Sequence, residues 1–136
     1  MKDKKLGIEF PKLTTCADDA RRKIAELILM SPFETATISI IEAKGAGEIL
    51  GNHFHTPESQ RTEIFLVIGN KNEEIFRFSF RNQYQTKEVV LKGGEILIVH
   101  PGTTHAFKAL RPGATLLVVA NKEYNPKDDI KDVILT

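Results

Sequence analysis

The chain has 136 residues, of which 41% are hydrophobic and 27% are charged. This length and balance are typical of one globular domain that can bury a substantial core. The 19 basic and 18 acidic side chains leave a formal net charge of +1, which favours neither a nucleic-acid surface nor a site for anionic membranes. No apolar run approaches the roughly 20 residues that span a bilayer. We therefore expect a cytoplasmic protein that binds a small molecule, with no nucleic-acid or membrane partner.

The first 33 residues are predicted to form an N-terminal arm and a helix that packs on the rest of the same domain. Between Asp18 and about Met30, apolar side chains recur at helical spacing and charged side chains occupy the other face. Thr15 and Asp18 are suited to cap the start of this helix, and Pro32 would end it. The pattern indicates one amphipathic helix on the outside of a sheet.

Residues 34–136 are predicted to form a β-barrel with a C-terminal tail. Their apolar residues alternate with polar ones, and Gly- and Pro-containing turns separate the segments at short, regular intervals. Phe76, Phe78 and Phe80 share one strand face, which is typical of a half-buried strand. A short helix is predicted over residues 128–134. The predicted strands are Thr35–Glu42, Ile49–His55, Glu63–Ile68, Ile75–Arg81, Thr86–Leu91, Ile96–Val99, His105–Leu110 and Thr115–Ala120.

These elements predict an all-β fold, a single jelly-roll β-barrel with one N-terminal helix and one short C-terminal helix. Many short strands without regular strand–helix alternation favour a barrel or sandwich over a parallel sheet. Small barrels fill one end with apolar side chains and leave a mouth for one ligand, so polar residues that face inward near the mouth need a partner.

Four polar residues are predicted to meet at that mouth. His53 and His55 are two residues apart on an extended segment, so their side chains point to the same face. Glu63 shares a face with Phe65 and Val67, and a lone inward glutamate costs several kcal/mol unless it is paired or bound to a metal. His105 follows a Pro-Gly turn that redirects the chain. Neutral imidazoles and a carboxylate from neighbouring strands form a typical site for a divalent transition metal.

The same residues resemble the two sequence motifs of the cupin superfamily. Five residues separate Gly47 from the His53-Phe-His55 pair, and Glu63 opens a strand that ends at a glycine. The second motif is similar to His100-Pro-Gly-Thr-Thr-His105, with a histidine where the first proline usually stands. The resemblance extends from about residue 34 to residue 121. Because metal-binding cupins use two histidines, the glutamate and a third histidine as ligands, it implies a metal site formed by His53, His55, Glu63 and His105.

One departure from the motif leaves the identity of the carboxylate or amide ligand open. Seven residues separate His55 from Glu63, which is longer than the usual gap, so Glu58 and Gln60 are alternative third ligands. Glu63 is preferred because it begins a strand, whereas Glu58 follows a proline in a loop.

The resemblance is strongest to small cupins of surface-polysaccharide and deoxysugar pathways, which include sugar-nucleotide ketoisomerases. It implies a metal-dependent isomerase or epimerase of a small carbohydrate-derived substrate. The ligand types suit Zn, Ni, Fe or Mn equally. A metal-dependent dioxygenase, a non-enzymatic ligand-binding protein and a metal-free enzyme with acid–base histidines remain alternatives, because no general base outside the ligand set is predicted. Similar cupins dimerise through strand exchange or edge pairing near the N-terminus, so we expect a homodimer.

Overall fold

The computed structural model describes residues 2–3, 7–27, 29, 33–81 and 85–136, and its strands form two large antiparallel sheets and one hairpin. Within the described part of the chain, no helix has the length and apolar character needed to span a bilayer. The strands are β1 (Lys2–Asp3), β2 (Ile8–Glu9), β3 (Thr14–Asp18), β4 (Lys23–Glu26), β5 (Thr37–Ala43), β6 (Ile49–His55), β7 (Glu63–Ile68), β8 (Glu74–Arg81), β9 (Thr86–Lys92), β10 (Ile96–Val99), β11 (Thr104–Ala109), β12 (Ala114–Ala120) and β13 (Asp129–Lys131).

The two large sheets form a sandwich. One has the strand order β1-β2-β10-β7-β12-β5, and the other has the order β13-β6-β11-β8-β9. The prediction of an all-β fold is confirmed. The prediction of a closed barrel is wrong for the described strands, because no ladder joins an edge of one sheet to an edge of the other. The core lies between the inner faces of the two sheets.

Aromatic side chains fill the centre of this core. Phe76, Phe78 and Phe80 are at most 1% exposed, which confirms the face predicted from their alternation. The ring of Phe78 lies 4.6 Å from that of Phe107, and Phe107 lies 4.9 Å from Phe65 on the facing sheet. Each fully buried phenylalanine contributes about 1.5–3 kcal/mol to the stability of the fold, because its apolar surface is removed from water. This packing holds the strands that carry the candidate site.

The predicted N-terminal helix is wrong, because β3 and β4 form a hairpin over the first part of that segment. The Asp19 carboxylate accepts hydrogen bonds from the backbone N–H groups of Arg21 and Arg22, and the Asp19 N–H donates to the Arg22 carbonyl. This local turn reverses the chain where the helix would have continued. The end of the predicted helix, at residues 28 and 30–32, lies outside the described residues.

The predicted C-terminal helix is also wrong. Only a single 3₁₀ turn forms, at Pro126–Asp128, and the chain then continues as β13. This strand pairs with the edge of β6, with Asp129 opposite His55 and Lys131 opposite His53. Pairing with a free sheet edge satisfies the backbone groups of the segment, and this long-range gain outweighs a weak local helix preference.

The strand predictions are otherwise close to the structure. The bounds of β6, β7 and β10 are those predicted, and the other five predicted strands differ by one or two residues at one or both ends. The segments that carry the histidines and the glutamate are therefore placed as the sequence indicated.

Candidate functional site

A β-bulge in β6 aims the histidines into the sandwich. On β11, the neighbouring residues His105 and Ala106 pair with His53 and Gly51 of β6. Asn52, which lies between His53 and Gly51, has no partner on β11 and is the extra residue of the bulge. Gly51 and Asn52 have φ values of 90° and 59°, a conformation in which glycine and asparagine are the favoured residues. A Cβ atom at Gly51 would lie 2.7 Å from the His105 carbonyl oxygen, so the close approach of β6 to β11 requires glycine there.

The structure brings the four predicted residues into one cluster. The ring of His53 lies 5.0 Å from that of His55 and 4.8 Å from that of His105, and the last two are 6.2 Å apart. The Oε1 atom of Glu63 lies 3.3 Å from His55 Nε2 and 3.6 Å from His105 Nε2. The convergence expected from the sequence is thus observed.

Three members of the cluster are buried and one stands at its open side. His55, Glu63 and His105 are 4%, 6% and 1% exposed, whereas the His53 side chain is 26% exposed. The alternative residues Glu58 and Gln60 are both exposed, on and just after a 3₁₀ turn. Among the three candidates for this position, Glu63 is therefore the one that reaches the histidines.

Hydrogen bonds to two of the histidines indicate which ring nitrogen carries the proton. His105 Nδ1 lies 3.0 Å from the Thr103 carbonyl oxygen, which can only accept. His53 Nδ1 lies 2.9 Å from Oδ1 of Asp129. Since both Nδ1 atoms donate, the Nε2 atoms of the neutral rings carry free lone pairs. This is the arrangement that metal-bound and proton-accepting histidines share.

The cluster favours neutral imidazoles beside an ionised carboxylate. Burial lowers the pKa of His105 to about 4, although the Glu63 charge opposes this shift. Burial also lowers the pKa of His53, against the opposing effect of Asp129. Burial by itself would raise the pKa of Glu63, but contacts with His55, His105 and Arg61 lower it to about 2. At neutral pH, Glu63 is therefore a carboxylate and His105 a neutral base.

This donor set fits a divalent transition metal in its chemistry. The buried Oε1 atom of Glu63 has no hydrogen-bond partner and faces the lone pair of His105 Nε2, so a cation or a proton donor is needed between them. Ligands bound to one ion at about 2.0–2.2 Å are themselves roughly 3.0–3.6 Å apart, which is close to the two Glu63 distances of 3.3 and 3.6 Å. As they stand, however, no three His, Cys, Asp or Glu side chains in the described ranges form a preformed metal site.

Three further residues at the site were not predicted. Asp129, on β13, accepts from His53 and also from the hydroxyl of Tyr124, at 2.8 Å. Arg61 donates to Oε2 of Glu63 at 3.3 Å. The sequence places Tyr124 and Asp129 only in the C-terminal tail of the domain, and none of the three residues belongs to a motif that identifies it.

Comparisons with known proteins identify the fold. No protein-family model matches the chain, and no curated protein matches it either. Solved structures do match. A 3,4-ketoisomerase from Helicobacter canadensis has 19% identity and a TM-score of 0.75, over 93% of this chain and 92% of that one. A sugar 3,4-ketoisomerase from Thermoanaerobacterium thermosaccharolyticum, in complex with TDP, has 16% identity and a TM-score of 0.74, over 93% of this chain and 88% of that one.

A third match is a dTDP-4-dehydrorhamnose 3,5-epimerase from Bacillus anthracis. It has 17% identity and a TM-score of 0.70, over 90% of this chain and 75% of that one. At these identities the likeness shows the fold alone. It confirms the cupin-type architecture that the sequence motifs implied, here as a sandwich of two sheets.

Proposed function

We propose that the protein isomerises or epimerises a small keto-sugar carried on a nucleotide. The observation that carries this proposal is the pairing of His53 with Asp129 at the open side of a buried His–Glu–His cluster. Ketoisomerisation and epimerisation beside a carbonyl group both begin when a base removes a proton from the adjacent carbon. The sugar isomerase and the epimerase among the similar structures, both bound to TDP, support this substrate class.

His53 is the residue best placed to move the proton. Its neutral Nε2 accepts the proton as the C–H bond breaks, and the C–H electron pair forms the carbon–carbon double bond of an enediolate. Asp129 stabilises the resulting imidazolium through Nδ1, and Tyr124 holds the other oxygen of Asp129. For isomerisation, the carbonyl electrons move onto the carbonyl oxygen, which takes up the proton that the neighbouring hydroxyl releases, and the His53 imidazolium protonates the former carbonyl carbon, so that the carbonyl group moves by one carbon. For epimerisation, a second donor such as water protonates the starting carbon from the opposite face, and His53 releases its proton to solvent.

We further propose that His55, Glu63 and His105 hold a divalent Zn, Ni, Fe or Mn ion. Three protein ligands leave positions open for substrate oxygens, as in catalytic metal sites. Such an ion polarises a carbonyl oxygen and stabilises negative charge that develops on it. That His53 is a fourth ligand of this ion stays a prediction from the sequence. The exposure of His53 at the open side of the cluster favours proton transfer.

The function can be tested by proton exchange. The protein is incubated in D₂O with TDP-4-keto-6-deoxyglucose, with and without each metal, and deuterium incorporation beside the carbonyl is followed by ¹H NMR. We expect His53→Asn to slow exchange at least about 10²-fold, the usual contribution of a general base. His100→Asn is the matched control, because the His100 side chain pairs with Glu9 and not with a residue of the cluster. Binding of keto-sugars without exchange would refute the enzyme and favour a binding protein.

We also propose that the protein is a homodimer. Within the described residues, β3 and β4 pair only with each other, and an isolated two-stranded hairpin is marginally stable in water. The edge strand β5 exposes Ile38 and Ile40 by 68% and 74%, so a second copy would cover apolar surface. Light scattering should give twice the 15.3 kDa of one chain. A single-chain mass at micromolar concentration would contradict the dimer.

A further inference from the structure

The long loop between β6 and β7 carries an arginine into the site. Seven residues, 56–62, separate His55 from Glu63. Near the end of this loop, the side chain of Arg61 is only 10% exposed. One of its terminal nitrogens donates to Glu63 Oε2 at 3.3 Å, and the other donates to the Lys122 carbonyl oxygen at 2.5 Å. The guanidinium therefore links the loop, the cluster and the C-terminal tail.

Other hydrogen bonds hold the loop in this place. The Thr62 N–H donates to the Asn121 side chain at 2.7 Å, and the Asn121 amide donates to the Gln60 carbonyl oxygen at 3.1 Å. At the start of the loop, the Thr56 N–H donates to the Asp128 carbonyl oxygen at 2.8 Å. A loop tied at both ends gives a buried arginine a defined position, which a long and flexible side chain needs to act on one atom of its partner.

We propose that Arg61 is a positioning residue that turns a single oxygen of Glu63 toward the histidines. The terminal torsion of a glutamate is broad and nearly two-fold, so an unrestrained carboxylate presents either oxygen or both. By bonding Oε2, Arg61 leaves Oε1 as the atom that faces His55 and His105. This inference rests on the proposed function in one respect, namely that the oriented carboxylate binds a metal ion.

A carboxylate oriented in this way binds an ion through one oxygen. One-oxygen binding leaves more coordination positions for the oxygens of a sugar than two-oxygen binding does. The guanidinium also places a permanent positive charge beside the Glu63 side chain, which is only 8% exposed, and this charge offsets the cost of burying the carboxylate. A lysine keeps the charge but lacks the planar pair of donors that contacts Glu63 and Lys122 together.

The positioning is tested first without metal, by a double-mutant cycle. Urea unfolding is measured for the wild-type protein, Arg61→Met, Glu63→Gln and the double variant. Each single variant loses the contact between Arg61 and Glu63, whereas the double variant loses the same contact only once. We therefore expect the equilibrium constant for unfolding of the double variant to be about tenfold smaller than the value obtained by adding the two single effects. Arg77→Met is the matched control, since its ion pair with Glu88 is about half exposed. Additive effects of Arg61→Met and Glu63→Gln would overturn the proposal.

The second measurement uses Co²⁺ as a spectroscopic probe of the full-length protein. We expect Arg61→Met to weaken Co²⁺ binding about 10–100-fold, as loss of an outer-shell partner does, and to change the visible absorption of the bound ion. Arg61→Lys should recover part of the affinity, and Arg77→Met should match wild type. Equal affinity and an unchanged spectrum in Arg61→Met would overturn the positioning role. If wild type binds no Co²⁺ while the cycle shows coupling, the metal proposal fails and the positioning of Glu63 stands.

Discussion

Substituting Gly51 by alanine tests whether the bulge in β6 builds the site. Gly47 provides a matched comparison, because its φ of 89° is nearly that of Gly51, at 90°. A Cβ atom at Gly47 would have no neighbour within 4 Å, whereas one at Gly51 would lie 2.7 Å from the His105 carbonyl oxygen and 3.3 Å from the Ala106 Cα. The two substitutions share the backbone strain and differ in the clash.

The expected magnitudes follow from this difference. A left-handed conformation costs a residue with a Cβ roughly 1–2 kcal/mol, so Gly47→Ala should lose about that much stability. At Gly51 the clash is with backbone and cannot be relieved by rotating a side chain, so overpacking adds about 1–3 kcal/mol. Relief of the clash also moves β11 away from β6 and separates His53 from His105.

Urea unfolding of both variants measures the stability difference, and a crystal structure of Gly51→Ala measures the separation of the rings, which is 4.8 Å in the native protein. Gly51→Ala should be the less stable variant by about 1–3 kcal/mol. Equal losses in the two variants, or an unchanged ring separation, would refute the reasoning that only glycine allows this strand contact.

Other expected outcomes concern the pH response, the C-terminal tail and the core. The pKa of Glu63 is about 2 in the folded protein against 4.5 ordinarily. Its ionised form therefore stabilises the fold above about pH 4.5, and the contribution is lost as the pH falls toward 2. Urea unfolding between pH 2 and 6 should show a weaker loss for Glu63→Gln than for wild type, and identical profiles would contradict this. Asn52→Ala removes the acceptor of the Ile134 and Leu135 N–H groups, so these amides should exchange faster with D₂O while core amides stay protected. Phe78→Ala, at a fully buried position, should cost about 3–5 kcal/mol in urea unfolding, and a loss below 1 kcal/mol would be inconsistent with the packed core.

The two wrong helices share a physical cause. The N-terminal segment has helical spacing, but the Asp19 side chain binds two backbone N–H groups and turns the chain. Residues 128–134 have polar and apolar residues that suit a short helix, but β13 gains partners along β6. In both segments the spacing of apolar residues describes a possible buried face, and hydrogen bonds made elsewhere decide the backbone.

The prediction of a closed barrel was wrong for a related reason. The alternation in Glu63–Ile68 and Glu74–Arg81 predicted which side of each strand is buried, and that prediction is confirmed. It contains no information on whether the first and last strands of a sheet meet, since the same alternation occurs in sandwiches and in barrels.

By itself, the sequence determined the eight strands from β5 to β12 and the four residues of the cluster. Alternation is a local property, and His53 and His55 must share a face wherever their strand lies. Only the tertiary structure decided that Asp129 reaches His53 and that Arg61 reaches Glu63. The first contact requires β13 to pair with β6, and the second requires a loop to be tied to the C-terminal tail. Such contacts join segments far apart along the chain, and their geometry arises only when the sheets have packed.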